Sequence, residues 1–112
     1  MCVAIATHTI IHQYLRIMID EEYKENEEYI NSTILPKLQE IQRNLLKTPS
    51  KLSIDVSARN DGNGYVSSFV CVRNDNGNII DSCSVRFLCV DSKEDMDEKY
   101  NEFVEFIKKY SA

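Results

Sequence analysis

The chain has 112 residues, 43% hydrophobic and 28% charged, with three Gly and two Pro, which suits one folded domain with one core and few disordered linkers. Its formal charge of −5, from 13 Lys and Arg against 18 Asp and Glu, opposes unspecific attraction to nucleic acid or to a membrane surface, both of which need clustered cations. Another protein, carrying basic charge, is the partner that fits this balance.

The first segment, "MCVAIATHTIIHQYLRIMID", has no basic n-region, and His8, His12, Gln13 and Arg16 interrupt its apolar residues. It therefore reads as neither a secretory signal nor a membrane span; whether residues 2–7 are strand or helix stays open. His8 and His12 stand at the i, i+4 spacing of two metal ligands on a helix, but Thr9 replaces the Glu of the zinc-protease motif, so at most they are weak candidates for a bare metal site. No sequence pattern calls for a cofactor.

Residues 7–48 are expected to be helical. Ile11, Tyr14, Leu15 and Met18 form one apolar stripe and Ile34, Leu38, Ile41 and Leu45 another, each at the three-and-four spacing of a helix face. Between them Asp20, Glu21, Glu22, Glu25, Glu27 and Glu28 stand against the single Lys24, an acidic run suited to docking on a basic surface. Pro36 is tolerated only in a first helical turn, so a break or kink is expected at Asn31 to Thr33, any of which could cap the helix that follows. One continuous, bent helix is the alternative.

From Lys51 the period changes to two, which predicts a β-meander over residues 51–90. The string Arg-Asn-Asp, followed by Gly and Asn, occurs twice, at Arg59 and Arg73. Neither copy fits a calcium loop, since Val72 and Cys83, or Arg59 and Val70, would fill positions 1 and 12. Both fit turns. A two-residue type I′ turn at Asn76-Gly77 pairs Asp75 with Asn78 and sets positions summing to 153 opposite one another; a tip at Asp61 to Asn63 gives pairs summing to 124. These registers, chosen independently, place Leu52, Ile54, Val56, Ala58, Val66, Val70, Val72, Cys83, Val85, Phe87 and Cys89 on one face, and a slip of one residue would scatter them.

The last segment, residues 92–110, reads as a helix with Met96, Tyr100, Phe103, Val104, Ile107 and Tyr110 in one stripe, Ser92 as its cap and Lys108 and Lys109 at its negative end. The expected architecture is a two-layer α+β domain in the order α-α-β-β-β-α, with a three-stranded antiparallel sheet packed on helices from both ends.

Cys2, Cys71, Cys83 and Cys89 include no C-x-x-C pair, so free thiols of a cytoplasmic protein are expected. No phosphate-binding Gly-rich loop or nucleophile elbow is present to mark an enzyme. The functional expectation is a small protein-binding module, of inhibitor or immunity type, that engages a basic protein surface. Asp20, Glu21, Glu22, Glu25 and Glu28 are the candidate contacts on the helix, and Tyr65, Phe69 and Arg86 those on the polar sheet face, where exposed aromatics suit an interface. The alternative is a homodimeric structural or chaperone-like adaptor that pairs the exposed face or edge of the sheet; a small enzyme of unknown class comes third.

Overall fold

A computed structural model describes residues 21–60 and 65–111. Helix α1, residues 21–29, passes through a π turn at Ile30–Ile34 into α2, Leu35–Leu45; strands β1, Leu52–Arg59, β2, Tyr65–Arg73, and β3, Ile79–Leu88, follow, and α3 spans Lys93–Ser111. The strands form one antiparallel sheet in the order β1-β2-β3. The fold is α+β, with helices laid on one face of the sheet.

The expected break at Asn31 to Thr33 is replaced by the π turn. The Leu35 amide donates to the Ile30 carbonyl, five residues back, and no side chain caps either helical segment there. Ser32 Oγ instead donates to the Glu28 carbonyl at 2.7 Å. The ring of Pro36 would meet the Ser32 carbonyl in a regular α-helix, and widening the turn just ahead of it lets the chain continue. Tyr23, Asn26, Ile30, Ile34, Leu38, Ile41 and Leu45 thereby stay on the buried or half-buried side, while Glu21, Glu22, Glu25 and Glu28 face solvent.

Both sheet registers follow the expected sums. Ile54 lies opposite Val70 and Ala58 opposite Val66; Val66 lies opposite Phe87 and Val70 opposite Cys83. The second turn is nevertheless not the expected one. The Gly77 amide donates to the Asn74 carbonyl at 3.0 Å, the Asn74 amide donates to the Asn78 carbonyl at 2.9 Å, and Gly77 alone has positive φ, +82°, among the described residues. A type I′ turn needs positive φ at Asn76 as well, so the loop is the three-residue kind that closes on a left-handed Gly. Asn74 Oδ1 favours it by accepting from the amides of Asn76 at 3.0 Å and Asn78 at 2.9 Å. Asn74, not Asp75, therefore stands opposite Asn78. The longer loop moves the register by one, and Ile80 moves it back: Arg73 pairs with Ile79 and Val72 with Asp81, leaving Ile80 as an unpaired bulge.

The apolar face of the sheet holds two clusters. Ile30, Ile34 and Leu38 meet Val66, Phe87, Cys89 and Met96 in one, and Leu52, Val70 and Val72 meet Phe103 in the other, with half-buried Val85 packed against both. Burying side chains of this size stabilises by roughly 1.5–3 kcal/mol each. Ser68, buried among them, donates to the Asp55 carbonyl at 3.0 Å. Ser92 caps α3 as expected, its Oγ accepting from the Asp95 amide at 3.1 Å. Between β3 and α3, Asp91 Oδ2 accepts from the Leu88 amide at 3.0 Å and from Lys99 Nζ at 2.8 Å. The first helix is joined to this corner by Asn26 Nδ2, which donates to the Cys89 carbonyl at 2.9 Å.

Candidate partner-binding surfaces

The anticipated contact residues separate into two groups on opposite sides of the sheet. Glu21, Glu22, Glu25 and Glu28 lie on the exposed side of α1, in the layer that covers the apolar face. Tyr65, Phe69 and Arg86 lie on the other face, which no described helix covers. The structure does not bring the two groups together. Asp20, His8, His12, Cys2 and the hairpin tip at residues 61–64 lie outside the described residues.

On the polar face the cross-strand rows are Arg59, Tyr65 and Leu88; Ser57, Ser67 and Arg86; Asp55, Phe69 and Ser84; and Ser53, Cys71 and Ser82. Ser57 Oγ and Ser67 Oγ are 2.9 Å apart, as are Ser53 Oγ and Cys71 Sγ. Tyr65 is held from two sides, its hydroxyl accepting from Arg59 Nη1 at 3.3 Å and its ring lying 5.3 Å from the Arg86 guanidinium carbon, a cation–π arrangement. A shallow hollow of about 480 Å³ runs past Asp55, Ser57, Ser67, Phe69, Ser84 and Arg86. Alternation along the strands puts Arg59, Arg73 and Arg86 on this face against Asp55. In a chain of charge −5, this face is locally cationic.

The helical layer carries the opposite sign. Glu94, Asp97, Glu98, Glu102 and Glu105 occupy the exposed side of α3, with Asn101 among them. None of them was singled out from the sequence, although the spacing 94, 98, 102 and 105 is that of one helix face. The end of α1 meets the first turns of α3, and α2 contacts α3 further along. The Tyr29 hydroxyl donates to Asp97, Lys93 Nζ sits 5.8 Å from the Tyr29 ring centre, and Lys37 Nζ sits 5.1 Å from that of Tyr100. The hydrogen bond to Asp97, aided by burial, pushes the Tyr29 pKa above its ordinary value. The acids of α1 and α3 are thus exposed on the same helical layer.

The thiols have a different character. Cys71, Cys83 and Cys89 form no disulfide, and Cys71 and Cys89 are buried. Desolvation pushes the pKa of Cys83 up, with Asp81 and Glu102 adding to it, and desolvation does the same for Cys89. A raised thiol pKa disfavours the nucleophilic thiolate. Among the described residues no group of three or more His, Cys, Asp or Glu side chains is arranged to hold a metal, and no helix is long and apolar enough to cross a membrane. No protein-family model matches the chain, and neither a curated protein nor a solved structure matches it.

Proposed function

We propose that this chain is a non-catalytic, inhibitor-like protein-binding module of the reducing cytoplasm, and that it docks on a basic surface of another protein through the outer side of its helical layer. The observation that carries this reading is the exposure of two acidic helix faces on one layer. Glu21, Glu22, Glu25, Glu27 and Glu28 of α1 and Glu94, Asp97, Glu98, Glu102 and Glu105 of α3 are exposed on the helical layer, where the end of α1 meets the start of α3. Their side chains lie on the helix sides turned away from the apolar stripe, so the core sets their direction and a partner finds them already displayed. Fields of this kind speed association and select partners by sign. Unbridged Cys71, Cys83 and Cys89 accord with a reducing compartment.

The test is affinity capture from the native cell extract, with the bound proteins released by rising salt. The expected catch is a basic protein whose retention falls with ionic strength. Reversal of Glu94, Glu98 and Glu102 to Lys, and separately of Glu21, Glu22, Glu25 and Glu28, should each weaken capture while the circular dichroism spectrum is unchanged. Capture indifferent to both sets of reversals would remove the helical layer from the interaction.

A further inference from the structure

The two edges of the sheet are finished differently. The Arg73 amide donates to the Lys51 carbonyl at 3.0 Å, which fixes the hydrogen-bonding parity of the antiparallel ladder. Backbone groups of residues 53, 55, 57 and 59 turn towards β2, and those of Leu52, Ile54, Val56 and Ala58 turn outward. By the same parity residues 82, 84, 86 and 88 turn outward on β3. There side chains occupy the edge. The Ser82 amide donates to Asp81 Oδ1 at 2.8 Å, the Leu88 amide to Asp91 Oδ2 at 3.0 Å, and the Arg86 carbonyl accepts from Lys99 Nζ at 3.0 Å. The Ile80 bulge interrupts the ladder beyond them. Helix α3, which supplies Lys99, runs past this edge.

Among the described residues, strand β1 has almost none of this protection. Its Leu52 amide donates to Ser50 Oγ at 3.1 Å, but the outward backbone groups of Ile54, Val56 and Ala58 have no partner among the described residues. The strand holds no Pro, its register with β2 is unbroken, and no charge lies on its apolar side. Proteins blunt open edges with such features. Ile54 and Val56 are only half-buried and Ala58 is exposed, although all three belong to the apolar face. A strand added at this edge would complete both the ladder and the cover.

We propose that β1 pairs antiparallel with β1 of a second copy, across a two-fold axis at Ser57, to give a continuous six-stranded sheet. The charges of the strand choose both the partner and the register. Outward parity admits only registers that pair even-numbered residues with even-numbered ones. An axis at Asp55 would set Asp55 against itself, and an axis at Arg59 would set Arg59 against itself, both of which are destabilising, while an axis at Val56 or Ala58 would set Arg59 opposite a serine and form no opposite-charge pair. An axis at Ser57 sets Asp55 opposite Arg59 twice, and Val56 opposite Ala58 twice. The even pairs then exchange backbone hydrogen bonds, while the Asp55 and Arg59 pairs take the non-hydrogen-bonded positions, where opposing side chains approach most closely. Arg59 is already directed along this face by its bond to the Tyr65 hydroxyl. Opposite charges placed symmetrically about one residue make the strand complementary to itself, so the fitting occupant is a second copy. The contact is isologous and closes at two subunits. It does not depend on the acidic helical layer.

The experiment measures the mass of the full chain by light scattering and sedimentation over a range of concentrations. A dimer is expected. Ala58→Pro removes an outward amide without touching the ladder to β2, and because it acts twice per dimer it should raise the dissociation constant on the order of tenfold or more. Arg59→Asp should weaken the dimer, and the exchange D55R with R59D should restore it, which a merely structural role would not do. In a Cys2→Ser background, Ser57→Cys should give a disulfide-linked dimer on mild oxidation while Ser53→Cys stays monomeric under denaturing conditions. A chain that is monomeric at the highest concentration reached, or a dimer indifferent to Ala58→Pro and to the charge exchange, would overturn the proposal.

Discussion

Lys99 Nζ lies 2.8 Å from Asp91 Oδ2 and 3.0 Å from the Arg86 carbonyl oxygen, so one ammonium ties α3 to the loop before it and to the outer edge of β3. Asp91 also accepts the Leu88 amide, and removing its carboxylate leaves two donors to find water at a half-buried corner. Asp91→Ala should cost about 1–3 kcal/mol, the range for losing hydrogen bonds to a charged acceptor. Lys99→Met, which keeps the aliphatic stem, should cost less, since the ammonium is partly exposed and an exposed pair contributes little. Urea denaturation of both variants checks the order; an equal loss would mean that the Lys99 ammonium accounts for the whole effect and the bond from the Leu88 amide to Asp91 adds nothing.

The β3 hairpin shows how a sequence reading can reach the right register through a wrong turn. Asn76-Gly77 reads as a two-residue turn because that dipeptide tolerates positive φ, but the Asn74 side chain captures two amides and favours a three-residue loop. Ile80 then absorbs the difference. Deleting Ile80 should leave Val72 opposite Asp81 and remove only the bulge, so stability should stay within about 1 kcal/mol of the parent because the core faces do not change. Near-ultraviolet circular dichroism and urea titration would show it. Loss of the cooperative transition would mean that the bulge's twist is required for the helices to pack.

Gly77 offers a narrower test of the same loop. A Cβ there would meet nothing within 4 Å, but φ is +82°, so the penalty of a side chain is conformational rather than steric crowding. Gly77→Ala should cost about 1–2 kcal/mol, and Gly77→Asn less, because Asn visits this region more readily. Equal losses in thermal melts would argue against a left-handed residue at this position.

What was legible in the sequence was whatever depends on side-chain alternation. The faces of all three strands, the α3 stripe and its Ser92 cap follow from period and turn chemistry. The π turn was not legible, since Asn31, Ser32 and Thr33 look like caps whether or not the helix stops, and the buried positions Ile30, Ile34 and Leu38 carry it through. The acidic face of α3 was readable from its spacing, but the eye goes to the denser run in α1. The edge of β1, open among the described residues, could not be read at all. Backbone parity depends on which residues exchange hydrogen bonds with β2, and the side-chain pattern is the same for either parity.

Asp81 and Tyr110 give the fold a pH dependence whose sign is fixed. The Tyr110 hydroxyl donates to Asp81; this bond, helped by the Ser82 amide, holds the Asp81 carboxyl below its ordinary value, and the same bond raises the tyrosine. A carboxyl depressed on folding contributes stability that is present above its unfolded pKa of about 3.9 and is lost as pH falls through the folded value. A tyrosine raised on folding contributes stability below about 10, lost as pH rises through its folded value. Tyr110→Phe should therefore lower the melting temperature near neutral pH, with the gap to the parent narrowing on the acid side below about pH 4. A gap that stays constant into acid would mean that the Tyr110 hydroxyl does not lower the Asp81 pKa.

The thiols supply the last test, and it bears on both packing and charge. Cys83 is half-buried, whereas Cys71 and Cys89 are 2% and 3% exposed. Burial with neighbouring carboxylates holds Cys83 and Cys89 in the thiol form, so access and ionisation both slow attack by an alkylating reagent. In a Cys2→Ser background the native protein should be modified slowly, Cys83 first, and all three thiols should react together once urea unfolds the chain. Because Cys89 belongs to the core under the helices, its rate should follow the global stability and fall in parallel with added stabiliser. Fast native modification of Cys89, read by mass spectrometry of the labelled peptides, would show that the contact among Ile30, Val66 and Phe87 opens locally, without the rest of the core.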